Sequence, residues 1–164
     1  MSKKRFIFMT AALCSFAICS GSTAFAASNV QPTQIMIEEA ENGNYYETVI
    51  ETLEQEQPPY SVFAATQYIT KTKTTYYKNS SGTVLWSVSI TATFSYDGST
   101  SKCTSCSHST TAPGTYWSIT SSSSSRSGNS ATATATAKYT PSSGAVQSYT
   151  KSVTIKCSPT GVVS

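Results

Sequence analysis

The sequence predicts an all-β protein: an antiparallel β-sandwich, of which the immunoglobulin-like arrangement is one form, with a small barrel as the alternative. Three observations carry this. Only 12% of the 164 residues are charged while serine and threonine abound, so the surface is largely neutral hydroxyl, which suits strands better than helices. From Val84 to Tyr96 an apolar set alternates with a mostly hydroxyl set, the period of two that marks a strand half-buried on a core. Polar turns, Asn79-Ser80-Ser81-Gly82 and Gly128-Asn129 among them, then punctuate the chain at short intervals.

In chain order, Lys3, Lys4 and Arg5 precede an apolar run from Phe6 to Cys19 and small residues ending at Ala24-Phe25-Ala26. That layout is a secretory signal peptide over residues 1–26, cleaved after Ala26. Lipid attachment at Cys14 or Cys19 does not fit, because Leu13 and Ile18 stand where small residues are needed. The run is broken by Thr10 and Ser15 and falls short of the roughly 20 residues of a membrane span. Export implies an oxidising compartment, and localisation is expected to be secreted, extracellular or cell-wall associated.

Residues 27–65 read as an acidic leader. All seven glutamates, Glu38 to Glu56, lie there, whereas residues 66–164 hold eight basic residues against Asp97, a net of plus seven. Tyr46, Val49, Ile50 and Leu53 fall at helical spacing with Glu47, Glu51 and Glu54 on another side. Asn44 is placed to cap a short amphipathic helix, with Glu47 three residues on, and Pro58-Pro59 stop it. Two readings compete for this asymmetry: a hydrated solubilising leader, or a pro-region that masks a basic face.

Residues 66–164 form the basic Ser/Thr-rich β-sandwich domain. Gln67–Lys78 pairs with the long strand as a hairpin around Asn79–Gly82. Asp97-Gly98 ends the long strand, and a cysteine-bearing piece runs from Ser99 to Ser107. After Pro113-Gly114, Tyr116 to Ser123 reads as a strand with Trp117 and Ile119 on one face. Ala131, Ala133, Ala135 and Ala137 alternate with Ser130, Thr132, Thr134 and Thr136. Alanine favours helix, but a helix would scatter these methyl groups around its circumference, whereas a strand lines them up opposite large rings such as Trp86 or Trp117. The last strand, Val146 to Cys157, turns Tyr149, Val153, Ile155 and Cys157 one way. Five or six strands result, in an order the sequence leaves open.

Cys103, Cys106 and Cys157 remain after signal cleavage, an odd number. A bond from Cys103 or Cys106 to Cys157 closes a loop of about fifty residues, on the order of 4 kcal/mol in the chain-entropy model. Cys103 is the preferred partner because it lies nearer the strand end. Cys103, Cys106, His108 and Cys157 also compose a zinc-type donor set, but the Cys106-to-His108 spacing is unusual and export favours disulfides, so no metal and no cofactor are expected. Cys103-Thr104-Ser105-Cys106 lacks the helix start of a redox motif. His108, the sole histidine, sits among serines and threonines, where a solvated loop side chain is expected, and a triad with Asp97 lacks the G-x-S-x-G elbow. Paired carboxylates for glycoside hydrolysis are missing from a domain with one acid. The chain reads as a non-enzyme.

Lys78-Asn79 and Gly82 before Leu85-Trp86, then Cys103, Trp117, Gly128-Asn129 and the closing Cys157-Ser158-Pro159 with Gly161, resemble a group of small secreted proteins of Gram-positive bacteria. The likeness runs from about Thr70 onward. It implies export and a compact β domain, and it implies no catalytic residues; a single Cys103–Cys157 pair is the plainer pattern there, with Cys106 the departure.

The function expected is a secreted binding or surface-associated module contacting anionic cell-wall polymer or glycan, through Lys71, Lys73, Lys78, Lys138 and Lys151 and tyrosines among Tyr68, Tyr76, Tyr77, Tyr139 and Tyr149. The competing explanation is that these lysines only keep the domain soluble. Dispersed lysines with Arg126 as the one arginine after the leader argue against nucleic acid. A secreted toxin or antimicrobial acting on membranes through the Ser121–Ala137 region is the alternative, but an alanine face is too weak for stable membrane insertion. Oligomeric state has no signature in the sequence.

Overall fold

The computed structural model describes residues 34–52 and 66–164. The signal-peptide reading of residues 1–26 and the Pro58-Pro59 stop lie outside the described residues. Eight strands follow one another: β1 (Gln34–Glu39), β2 (Tyr45–Thr52), β3 (Gln67–Lys78), β4 (Val84–Tyr96), β5 (Ser101–Thr111), β6 (Trp117–Ser127), β7 (Ser130–Tyr139) and β8 (Gln147–Lys156). Strands β1 to β5 form one antiparallel sheet in that order, and β6 to β8 a second. Neighbours in both sheets are consecutive in sequence, a meander, where an immunoglobulin arrangement needs Greek-key connections.

The long strand and its hairpin partner occupy the residues their alternation predicts. Along β4, Trp86, Val88, Ile90, Ala92 and Phe94 are each at most 1% exposed, as are Ala131, Ala133, Ala135 and Ala137 of β7. With Ile155 and Cys157 these residues form one continuous core between the sheets, and β7 packs across β4. Alanine's helix propensity is overridden because β7 lies between β6 and β8, where methyl-sized side chains let the sheets approach closely. The outer faces carry hydroxyl pairs across neighbouring strands: Thr70 with Thr93, Thr72 with Thr91, Thr132 with Thr154 and Thr136 with Thr150, all at 2.8 to 2.9 Å. Each such pair contributes about 0.2–1 kcal/mol, so the Ser/Thr bias stabilises the sheets as well as hydrating them.

The acidic segment departs from expectation. In place of a helix from Asn44 onward, Tyr45–Thr52 is strand β2, paired along its whole length with β3 from Tyr45↔Lys78 to Thr52↔Lys71, and β1 pairs on its other side. Asn44 follows a single 3-10 turn at Glu41–Gly43 and caps no helix. The physical reason lies in Tyr45, Tyr46, Thr48, Val49 and Ile50, aromatic and β-branched residues that fit a pleated surface; spacings of three and four also satisfy a strand when both of its faces are partly apolar. Ile50 is 8% exposed and belongs to the core side, and Glu47 meets Lys78 at 2.5 Å. The domain therefore starts before residue 66: the first two strands complete the larger sheet, and two of their acids, Glu47 and Glu38, pair with Lys78 and Lys151 of later strands.

On β5 a register shift between Thr93 and Phe94, with Thr93 opposite Ser105 and Phe94 opposite Cys103, inserts Thr104 as a bulge. The extra residue resets the alternation, so Cys103 on one side of it and Cys106, His108 and Thr110 on the other all face inward. His108 is thus a strand residue, not a loop residue. Its ring nitrogens lie 2.9 Å from Ser124 Oγ and 3.2 Å from Ser122 Oγ of β6, sewing together the edges of the two sheets. Ile90 stands opposite it in the register, which explains why a polar side chain here needs partners from across the seam.

Candidate functional site

A meander brings alternate connections to the same end. The β1–β2, β3–β4, β5–β6 and β7–β8 connections all gather at one end of the packed sheets, and a cleft of about 700 Å³ opens among them. Its walls are Asn42 and Asn44 from the first connection, Asn79, Thr83, Val84 and Leu85 from the second, Pro113 to Trp117 from the third, and Tyr139, Gln147 and Tyr149 flanking the fourth. None of these residues is charged.

Aromatic rings build the cleft floor outward from the core. Tyr77, 1% exposed, is the hub, with ring centroids of Tyr46 at 4.8 Å, Trp117 and Tyr149 each at 5.5 Å and Trp86 at 6.2 Å. Trp117 continues the chain of rings to Tyr139 and Tyr149, both at 5.2 Å, and Tyr139 reaches Tyr116 edge-on at 6.4 Å. Tilted and edge-on pairs of this kind are favoured by the ring quadrupole and add about 0.5–1.5 kcal/mol each beyond burial. The network runs from a fully buried ring to Tyr116, which is 52% exposed, so the mouth of the cleft is backed by a rigid interior.

The β5–β6 loop is held tightly. The Gly114 amide donates to Leu85 O at 3.0 Å, the Trp117 amide to Gly114 O at 3.1 Å, and the Thr140 amide to Tyr116 O at 2.8 Å. A Cβ on Gly114 would lie 2.8 Å from Trp117 Cδ1 and 2.9 Å from Leu85 O, so only glycine lets Trp117 sit here. Tyr116 has φ +69°, a left-handed conformation that costs a bulky residue of order 1–3 kcal/mol and persists only where the surroundings enforce it.

The carboxamides are half committed. Asn44 Nδ2 donates to Tyr77 Oη at 3.0 Å, Asn79 Oδ1 accepts from the Ser81 and Thr83 amides at 3.1 and 2.9 Å, and Gln147 Oε1 accepts from Tyr149 Oη. Among the described residues this leaves Asn44 Oδ1, Asn79 Nδ2, Gln147 Nε2 and the Asn42 amide for a ligand, donors and acceptors together. Burial raises the Tyr149 phenol, helped by nearby Tyr77 and by Glu41, so it remains a neutral hydroxyl. The arrangement stacks flat apolar faces and hydrogen-bonds neutral polar edges.

The five lysines do not compose one surface. Lys71 is buried and Lys73 half-buried on the inner side of β3, opposite Ala92 and Ile90, and burial lowers both ammonium pKa values. Lys151 also faces inward, 2.8 Å from Glu38 Oε2 and 4.1 Å from the Tyr46 ring centroid. Lys78 is paired with Glu47 on the outer face of the larger sheet, while Lys138 lies on the outer face of the smaller one, opposite Ser148. Alternation along the strands explains the scatter, which charge counting along the sequence does not see. Of the tyrosines singled out, Tyr139 and Tyr149 line the cleft and Tyr77 supports it, while Tyr68 and Tyr76 stand apart. Asn42, Asn44, Asn79, Tyr116, Trp117 and Gln147 were missed as site residues. Their signal was the clustering of asparagine and aromatic residues in alternate turns.

Cys103, Cys106 and Cys157 are unbonded to one another in this structure. Cys103 and Cys157, 1% and 0% exposed, lie at the end opposite the cleft, where the Cys103 amide donates to Gly128 O and the Cys157 amide to Asn129 O, at 2.8 and 3.1 Å. Ser101 Oγ and Asn129 Nδ2 both donate to Cys157 O. Burial raises both thiol pKa values, so neither is a ready thiolate. Among the described residues no group of three or more His, Cys, Asp or Glu side chains is placed to hold a metal ion. Asp97 holds the Ser99 and Thr100 amides at the turn after β4, so among the described residues the histidine and its two serines have no carboxylate partner to orient them.

The alanine face of β7, which a membrane-inserting hairpin would present, is spent in the core. No helix among the described residues is long and apolar enough to cross a membrane. Comparison with protein-family models, with curated proteins and with solved structures yields no match for this chain.

Proposed function

We propose that this chain is a secreted, non-enzymatic binding module, a β-sandwich whose end cleft receives a neutral glycan. The observation that carries the reading is the lining itself: Tyr116, Trp117, Tyr139 and Tyr149 beside Asn42, Asn44, Asn79 and Gln147, without a charged group. A pyranose offers an apolar C–H face and a rim of hydroxyls that both donate and accept, and it is matched by rings flanked by carboxamides and phenols. Carboxamides, hydroxyls and rings bind rather than move protons at neutral pH, which supports a non-enzymatic role. The anionic polymer that the net charge suggests is the weaker partner, since Lys78 and Lys151 are already ion-paired. The setting proposed for such a module is attachment at a Gram-positive surface, which the sequence resemblance and the signal-like leader support.

Titration of the full protein with purified cell walls and with neutral oligosaccharides, followed by tryptophan emission at low and high salt, tests this. Binding that shifts the emission, ignores salt and is lost in Tyr116→Ala is expected. Absence of binding, or binding that salt abolishes, overturns the reading. The same reading pairs Cys103 with Cys157 in the exported protein; non-reducing peptide mapping is expected to recover that pair with Cys106 as a free thiol, and recovery of three free thiols from the secreted protein refutes it.

A further inference from the structure

Resting on the glycan reading, we infer that the cleft selects saccharides bearing an acetamido group. The lining pairs two features a plain hydroxyl would not use together. Asn44, Asn79 and Gln147, whose Oδ1 acceptor and Nδ2 and Nε2 donors are not engaged by the side-chain bonds described above, line the cleft together with the aliphatic Val84, Leu85 and Pro113. An acetamido substituent presents an N–H for the acceptor, a carbonyl for a donor and a methyl for the aliphatic wall. A hydroxyl in the same place leaves that wall against water and one carboxamide partner unmet.

The donors and acceptors are also fixed before a ligand arrives. Asn79 is oriented by its two backbone bonds, Asn44 by Tyr77 and Gln147 by Tyr149, so the carboxamides need little reordering on binding. The wall is equally rigid, because Leu85 packs against the core and its carbonyl holds the Gly114 amide. The lining itself carries no charge, and Glu41, near enough to Tyr149 to raise its phenol, is not among the lining residues, so a free ammonium seated in the cleft would give up water without a direct ion-pair partner there.

The test titrates the full protein with N-acetylglucosamine oligomers, glucose oligomers of the same linkage and length, and the deacetylated glucosamine oligomers. The acetylated series is expected to bind roughly tenfold or more tightly than either other series. Gln147→Glu keeps an acceptor for Tyr149 and removes the Nε2 donor; it is expected to weaken the acetylated oligomer about tenfold and to narrow its advantage. Equal binding of the acetylated and glucose series, or tighter binding of the glucosamine series, overturns the acetamido inference while glycan binding stands. Failure of all three series overturns the inference together with the function on which it rests.

Discussion

Tyr77 is where fold and cleft depend on one side chain, and truncating it in two steps separates its ring from its hydroxyl. Tyr77→Phe keeps the four ring contacts and deletes the hydroxyl that accepts from Asn44 Nδ2 at 3.0 Å and interacts with Tyr149. A net hydrogen bond contributes about 0.5–1.5 kcal/mol, with a further cost where the abandoned partner is half-buried, so a loss of about 1–2 kcal/mol follows. Tyr77→Ala also removes the ring, 1% exposed and touching Tyr46, Trp86, Trp117 and Tyr149; aromatic-to-alanine changes in cores cost about 3–5 kcal/mol. Urea unfolding followed by tryptophan emission is the direct assay, since both tryptophans belong to the ring network. The Phe variant is expected to unfold about 0.5–1 M earlier at an unchanged slope, and the Ala variant much earlier. A Phe variant with the parent midpoint, or an Ala variant within about 1 kcal/mol of the parent, would refute the hub role. A cycle with Asn44→Ala isolates the shared bond, with a coupling of about 1 kcal/mol expected.

Three other outcomes follow from the same packing. Ala133→Leu, placed at 0% exposure opposite Ser124 and Val153 in the register, is expected to lower stability by about 1–3 kcal/mol through overpacking; an unchanged melting temperature would mean that β7 does not face the core. Tyr116→Gly relieves the positive φ of 69°, so its melting temperature is expected to hold or rise while binding to neutral oligosaccharides falls; a fall in stability with binding intact would show that the ring is merely structural. At high pH, burial, assisted by Tyr77, Glu38 and Tyr149, raises the Tyr46 phenol above its ordinary value. The folded state holds that proton longer than the unfolded chain, so the contribution is complete below about pH 10 and is lost as pH rises through the folded value. Lys71 and Lys73, lowered by burial, act with the opposite slope, so the difference between the parent and Tyr46→Phe isolates the tyrosine. Alkaline unfolding monitored by circular dichroism is expected to be shallower for Tyr46→Phe above about pH 10, and identical slopes contradict the assignment.

Local pattern was a sufficient guide wherever one face of a strand is apolar and the other hydroxyl. Val84–Tyr96 and its partner Gln67–Lys78 were legible to the residue, because alternation and the Asn79–Gly82 turn agree. The alanine strand was legible against propensity, since only a sheet collects those methyl groups on one side. Tyr45–Thr52 was misread because Tyr46, Val49 and Ile50 satisfy both periods; the open edge of β3 and the diagonal ion pair of Glu47 with Lys78 decided between them, and both are long-range facts. His108 was misread as a loop residue because β5 runs on to Thr111, past the expected end at Ser107, and one bulge at Thr104 turns it inward. A single inserted residue leaves no mark in composition or alternation when the neighbours are all Ser and Thr.

Strand chemistry, turn chemistry and the division of charge are properties of neighbours in sequence, and for this reason the amino-acid order alone determined the all-β class, the bounds of β3 and β4 and the core faces of β4, β7 and β8. Strand order was decided only in three dimensions, because pairing energy depends on which edge is free and which register buries the most apolar surface. The cleft belongs to that second category. Asn44 and Asn79 lie in, and Trp117 and Gln147 directly follow, four separate connections, and only a meander that returns every alternate turn to the same end makes them neighbours.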